Sequence, residues 1–252
     1  MARQHFSAAL GLLRSLIIYH SPTGIIRWRR FYRGLLAPRD LVFDVGAHVG
    51  TRARAMNSAG ASVIAIEPQQ PFAGFLRRTL PRDIRVLPVA VGQTPSKATL
   101  AVSSRHPTVS TLSADFVTAG KTATGFTQVN WDRTQQVQVV TLDDLIGEYG
   151  VPHYIKIDVE GSEGAVLAGL SHPVALISVE YLPALPHLAR ALVRQLQEMG
   201  NDRFNIVQGE GGSFLWPDWR DADAVTAWLA SQGSAAQSGD LFARRPGATA
   251  AR

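Results

Sequence analysis

Cysteine is absent from the 252 residues, which excludes disulfides, thiolate metal sites and a cysteine nucleophile. That absence fits a reducing compartment, and a cytoplasmic protein is expected. Lysine is scarce, being confined to Lys97, Lys121 and Lys156, so the net charge of +5 rests on arginine. No run approaches the roughly 18 apolar residues that a membrane-crossing helix needs. Leu10 to Tyr19 has the look of a short signal core, but Arg14 interrupts it and no small-x-small cleavage site follows, so it reads as part of the mature protein. The histidines show no paired zinc spacing, no Gly-Lys-Ser marks a P-loop, and Ser162 lacks the Gly-x-Ser-x-Gly setting of a nucleophile elbow.

What is present is a chain that is 46% hydrophobic, long enough to bury one substantial core. Three parts are expected: a basic amphipathic helical segment over 1–37, one α/β domain over 38–245, and a disordered tail over 246–252. In the first part Phe6, Leu10, Leu13 and Ile17 fall at helical spacing. A second short helix should end near Leu36 and carries Trp28, Phe31 and Tyr32 among Arg27, Arg29, Arg30 and Arg33. Packing on the domain or a partner is one reading of this segment. Peripheral membrane contact is another.

From Leu41 the pattern becomes strand and helix in alternation. Leu41 to Val45 is an apolar strand leading into Gly46-Ala47-His48-Val49-Gly50, where Gly46 allows a tight turn and Gly50 would let the backbone approach a ligand. A helix from Thr51, a strand Ser62 to Ile66, a helix opened by Pro68 and Pro71, and a strand Ile84 to Val91 follow. Strand–helix–strand–helix–strand is half of a doubly wound parallel sheet. The pattern then breaks. After a short strand at Ala98 to Val102, residues 103–134 read as an irregular insertion, expected to be a lid or substrate loop. Regular alternation resumes with strands at Val137 to Leu142, Tyr154 to Val159, Val174 to Glu180, Phe204 to Val207 and Leu241 to Arg244. Helices stand between them, the first capped by Thr141 or Asp143.

Core strands thus end in Asp44, Glu67, Asp158 and Glu180, and in an open α/β sheet the ligand crevice lies at those carboxyl ends. Such a crevice would repel polyphosphate and suits a ligand with a ribose and positive charge. S-adenosylmethionine has both, with Glu67 accepting from ribose hydroxyls and Asp44 favouring the methionine ammonium. Lys156, in a strand covered on both faces, needs a carboxylate partner, and Glu180 is the expected one. Asp158, Glu160 and Glu180 have the oxygen chemistry of a Mg²⁺ site, but no spacing proves that they converge, and no metal is assigned.

Asp44-Val45-Gly46-Ala47-His48-Val49-Gly50, Glu67, Val89-Ala90-Val91-Gly92, Val140-Thr141-Leu142-Asp143-Asp144-Leu145 and Ile155-Lys156-Ile157-Asp158-Val159-Glu160-Gly161-Ser162-Glu163 together resemble the FkbM family of class I S-adenosylmethionine-dependent methyltransferases. The likeness runs from about Leu35 to Glu180. It implies a seven-stranded Rossmann-like sheet with an antiparallel last strand, and O-methylation of a hydroxyl on a sugar, glycolipid or secondary metabolite. By the same resemblance Gly46, Ala47 and Gly50 would cradle the methionine part and Ala90 would lie near adenine. Asp158 or Glu160 would act as base, with His48, at a position often Asn in the family, as the alternative. Glu163 reads as a charge at a helix N-terminus. The competing readings are an RNA methyltransferase, against which stands the lack of a recognisable RNA-binding module, and a nucleoside- or dinucleotide-binding domain without methyl transfer.

Overall fold

Alternating side chains on the first strand define the layering. In β1 (Leu41–Val45), Phe43 and Val45 join one buried cluster while Val42 joins another on the opposite face, so the strand is covered on both sides. The computed structural model describes residues 22–121 and 128–247; the helix expected over Phe6 to Tyr19, Phe126 and the last five residues lie outside them.

The described elements run in the order α1 (Pro22–Arg33), β1, α2 (Thr51–Ser58), β2 (Ser62–Ile66), α3 (Phe72–Thr79), β3 (Arg85–Leu87), β4 (Ala90–Val91), β5 (Ser96–Val102), α4 (Ala114–Gly120), β6 (Arg133–Val140), α5 (Leu142–Tyr149), β7 (Tyr154–Ile157), α6 (Glu163–Leu167), β8 (Leu176–Tyr181), α7 (Pro186–Glu198), β9 (Arg203–Gln208), α8 (Ala222–Ser231) and β10 (Gly239–Arg244). Seven strands form the main sheet in the order β3-β2-β1-β7-β8-β10-β9. Neighbours are parallel except β10, which is antiparallel to both β8 and β9. This is the doubly wound sheet that the strand–helix alternation leads one to expect, with the antiparallel last strand that the family resemblance implies. The chain order reverses direction across the sheet between β1 and β7, which opens a crevice above their carboxyl ends.

Two sequence expectations change. The single strand expected over Ile84 to Val91 is two, because Pro88 has no N–H to give the ladder. The chain leaves the main sheet after Leu87, and Ala90–Val91 pairs with β6 in a separate sheet of order β4-β6-β5. The insertion is also more ordered than an irregular loop. It holds a 3₁₀ turn at Pro107–Val109 and α4, and its last residues, Arg133 and Thr134, already belong to β6. Phe116 of α4 is buried and packs edge-on to Trp131, whose indole N–H donates to the Val109 carbonyl at 2.8 Å.

Thr141 caps α5 with a full capping box, its hydroxyl accepting from the Asp144 N–H while the Asp144 carboxylate accepts from the Thr141 N–H, both at 2.9 Å. Helix α1 packs along α2, with Trp28 and Tyr32 at 0% exposure in the core. Burial of each such ring contributes about 1.5–3 kcal/mol or more. These aromatics are therefore structural and unavailable to stack on bases or enter a membrane, whereas Arg27, Arg29, Arg30 and Arg33 stay outside.

Candidate active site

The turn after β1 is shaped around the end of β7. Gly46 has φ 82°, and a Cβ there would fall on the Asp158 carbonyl oxygen, so only glycine is tolerated. The N–H groups of Gly46 and Ala47 both donate to the Ile66 carbonyl, at 2.9 and 3.0 Å, pinning the turn to the end of β2. Gly50, with φ 78°, begins α2 and serves a different end from the expected one. It is not among the residues lining the cavity, and a Cβ on it would press within 2.8 Å of Leu76 and 2.9 Å of Leu80, so its smallness lets α2 pack on α3.

Above this turn lies a cavity of about 350 Å³. Asp44, Gly46, Ala47, His48, Glu67, Ala90, Asp158, Glu160 and Glu180 all line it, so the sequence-predicted site residues meet in one place apart from Gly50. Val89, Ala90, Val91 and Leu100 supply an apolar wall, and Pro107, Thr108, Ser110 and Leu112 of the insertion close another side.

Glu67 is buried and its carboxylate is held from both ends. One oxygen accepts from the His48 N–H and the other from the Gln69 N–H, each at 2.8 Å. Burial pushes its carboxyl up to about 7, against the downward pull of those two backbone donors. Lone pairs remain on both oxygens for two further donors, as a vicinal diol would provide. His48 takes the left-handed conformation, φ 49°, that aims its N–H at Glu67, and its ring lies against Phe72 at 4.6 Å. Burial lowers the imidazole to about 4, outweighing the opposite influence of Asp158, so the ring is neutral and a weak base at neutral pH.

Asp44 is fully buried, and neither carboxylate oxygen has a hydrogen-bond partner. Lys156, its register partner on β7, lies 3.8 Å away. The lysine's main partner is Asp158, with Nζ to Oδ2 at 2.8 Å. This corrects the expected pairing with Glu180: residues 156 and 158 share a face of the extended chain, while the residue opposite Lys156 on β8 is Ser178. Burial works to raise the Asp158 carboxyl, but Lys156 more than offsets it and leaves the group lowered and ionised. Burial raises Glu160 and Glu180 well above the carboxylate range, with Asp158 adding to both. Asp158, Glu160 and Glu180 each offer an oxygen within 4.8 Å of the others. Within the trio Asp158 therefore gives up its proton most readily, while Glu160 and Glu180 hold theirs to higher pH. Glu160, φ 55°, is held by its backbone, its carbonyl accepting from the Thr111 hydroxyl at 2.7 Å. Glu163 turns back to accept from the Val159 and Gly161 N–H groups at 3.1 and 3.2 Å, and so braces the loop.

Sequence reasoning misses a second set of paired charges. Arg52 lines the cavity, pairs with Asp240 at 3.1 Å and lies 3.5 Å from Glu210. Its guanidinium stacks 3.0 Å over Trp28, whose indole N–H donates to Glu210 at 2.7 Å. The legible signals were an acid inside the apolar strand β10 and an arginine in the first turn of the helix after the glycine loop.

A parallel sheet with one antiparallel strand, a glycine turn at β1 and acids at the ends of β1 and β2 is the arrangement that the resemblance to class I S-adenosylmethionine-dependent methyltransferases implies. A family model described as the methyltransferase FkbM domain matches residues 44–234, and the chain belongs to that family. Hexuronic acid methyltransferase AglP of Haloferax volcanii is 28% identical over 146 residues, 57% of this chain. The chain spans about half the length of that curated relative, 54%. Among solved structures, an O-methyltransferase from Bacillus cereus in complex with SAH is similar at 13% identity and TM-score 0.46, over 97% of this chain and 91% of that one. A precorrin-6y C5,15-methyltransferase from Geobacter metallireducens is similar at 11% identity and TM-score 0.44, over 87% of each chain.

The cavity fits the cofactor of that family. The buried Asp44 carboxylate has unmet capacity for a cation, Glu67 has lone pairs for a ribose diol, and the apolar wall at Ala90 suits a flat base. Among the described residues no helix is long and apolar enough to cross a membrane.

Proposed function

We propose that the enzyme methylates an uncharged hydroxyl of a sugar, glycolipid or secondary metabolite, with the acceptor entering beside Glu160 and the insertion. The observation that carries this reading is the charge of the cavity. Six carboxyl groups, Asp44, Glu67, Asp158, Glu160, Glu180 and Glu210, line it, and even with Glu160 and Glu180 protonated the others face only Lys156 and Arg52, which are already paired within it. An anionic acceptor would meet this wall unfavourably, and a neutral alcohol would not.

S-adenosylmethionine, when bound, supplies an electrophilic methyl group on a sulfonium. Glu67 would hold the ribose, Asp44 the ammonium, and the turn at Gly46 and Ala47 the chain between them. The residues around Asp158 fix the acceptor oxygen on the axis of displacement, an effect that can supply roughly 7–11 kcal/mol. Forming the C–O bond makes the hydroxyl proton strongly acidic, so the ionisation state of the receiving group matters more than its basicity. Asp158 is the ionised member of its trio, and we assign it the proton. Glu160 and Glu180, which hold their protons to higher pH than Asp158, are placed to donate to acceptor oxygens. His48 orients Glu67 through its backbone and is not needed as base.

The printed name of the Haloferax relative, a hexuronic acid methyltransferase, supports a sugar acceptor; a hexuronic acid is itself anionic, so the preference for an uncharged acceptor rests on the charge of this cavity alone. The test is transfer of labelled methyl from S-adenosylmethionine to neutral and acidic glycosides, followed by mild alkali. Alkali-stable label, the mark of an ether, is expected on neutral acceptors. Alkali-labile label on the acidic ones, the mark of an ester, would overturn the assignment.

A further inference from the structure

The strongest feature outside the cleft is the segregation of charge on the face that carries α1 and α3. The first acid in the chain is Asp40, so the 39 residues before it carry arginine and no carboxylate side chain. Within the described residues from α1 to β3 the acids are Asp40, Asp44, Glu67 and Asp83. Asp44 and Glu67 are buried in the cleft, Asp40 is half-buried, and Asp83 is held by the Asn57 amide at 2.8 Å. Against these stand exposed Arg27, Arg29, Arg30 and Arg33 on α1 and Arg77 and Arg78 at the end of α3. The two helices belong to one layer, since Trp28 and Tyr32 of α1 share a buried cluster with Leu76 of α3. Exposed Asp83 and, from the loop against α1, Glu210, which accepts from Trp28 and lies 3.5 Å from Arg52, leave the face net positive, and a net positive face attracts an anionic surface.

The apolar character of the patch selects the kind of surface. Ile26 is 66% exposed and lines a shallow hollow with Phe31, Arg27, Arg30 and Gly212. Trp28 and Tyr32 are buried and Phe31 and Phe75 half-buried, so no exposed aromatic stands on α1 or α3 to stack a base. An exposed aliphatic side chain ringed by arginines matches the boundary between lipid headgroups and acyl chains. Gly212 also closes the loop that, through Gly209 and Glu210, lines the cleft on its other side.

We propose that this face docks on the anionic headgroups of a membrane, with Ile26 entering the apolar boundary, and so presents the mouth of the cleft to the lipid surface. Flotation with phosphatidylcholine vesicles, alone or with added phosphatidylglycerol, tests it. Binding is expected only with phosphatidylglycerol and should weaken as salt rises. The exposed triple variant Arg30→Gln, Arg33→Gln, Arg78→Gln should lose about a hundredfold, about fivefold for each arginine removed from the surface. Its affinity for S-adenosylmethionine by calorimetry should be unchanged, which shows it folded and separates this proposal from the assignment of the reaction. Ile26→Ser should weaken binding by the same factor at low and high salt. Failure to float with phosphatidylglycerol, equal flotation of the triple variant, or displacement from vesicles by an equal mass of duplex RNA would overturn the proposal.

Discussion

Cofactor binding should be steeply dependent on pH, and Glu67 is the reason. Its carboxyl is pushed up to about 7 by burial, yet a ribose diol donates hydrogen bonds that favour the ionised form. At pH 6 roughly a tenth of the free protein would carry Glu67 as carboxylate, and at pH 8 about nine tenths. Affinity for S-adenosylmethionine should therefore rise about tenfold between these values and level off above them. The sign in the free protein is opposite. A carboxyl raised in the folded state contributes stability that is present below its ordinary value near 4.5 and is lost as pH rises through about 7. The cofactor's thermal stabilisation should consequently be larger at pH 8 than at pH 6. Calorimetry at pH 6 in two buffers of different ionisation enthalpy should reveal release of nearly one proton on binding. Glu67→Gln keeps the size of the side chain but cannot ionise. It should weaken binding on the order of a hundredfold at pH 8, the scale of two charge-assisted hydrogen bonds, and should flatten the pH dependence. A variant that binds with the same pH slope as the parent would refute the assignment, because another group would then own the titration.

Asp158→Asn should lower turnover by two to four orders of magnitude, the usual range for a lost base, while changing cofactor affinity less than tenfold; equal loss of both, measured by kinetics and calorimetry, would give the residue a structural role. Lys156→Met leaves Asp44 and Asp158 buried without their cation and should destabilise the fold by about 3–5 kcal/mol at pH 8 in urea titrations. Its penalty should shrink toward pH 5, since an uncompensated carboxyl is raised and loses stability as pH rises; a penalty independent of pH would contradict the ion-pair account. Gly46→Ala should abolish cofactor binding and cost several kcal/mol, because its Cβ meets the Asp158 carbonyl where neither backbone can yield. Near-normal binding by that variant would mean the turn is far more plastic than its hydrogen bonds to Ile66 imply.

Much of this site is legible in the sequence because a parallel sheet converts chain position into spatial position. An acid closing an apolar run must emerge at the carboxyl end of a strand, and Asp44, Glu67, Asp158 and Glu180 do so wherever their strands fall in the sheet order. Gly50 misleads because a glycine opening a helix serves close packing as readily as ligand approach, and only the positions of Leu76 and Leu80 decide between them. The partner of Lys156 depends on register, which periodicity does not contain. Arg52 and Asp240 escape notice for the same reason. They are 188 residues apart, and one belongs to an antiparallel strand inserted between two others, so nothing local brings them together. Pro88 was readable as a strand breaker, since a proline in a central strand argues against the strand.

The two paired cations explain why so many acids can share one cavity. Lys156 and Arg52 are each fixed by carboxylates, Lys156 between Asp44 and Asp158, and Arg52 between Asp240 and Glu210 with Trp28 beneath it. Neither is placed to swing out and neutralise a ligand, because leaving would strand a buried carboxylate. They offset enough charge for the apo protein to fold, while Asp44 keeps both oxygens without a hydrogen-bond donor. A cation entering the cleft completes that deficit, whereas an anion displaces nothing and adds repulsion. The cavity thus selects for positive charge through a shortage of donors built into the fold. Helix α1 is part of the device, since Trp28 holds both Arg52 and Glu210 in place from outside the sheet.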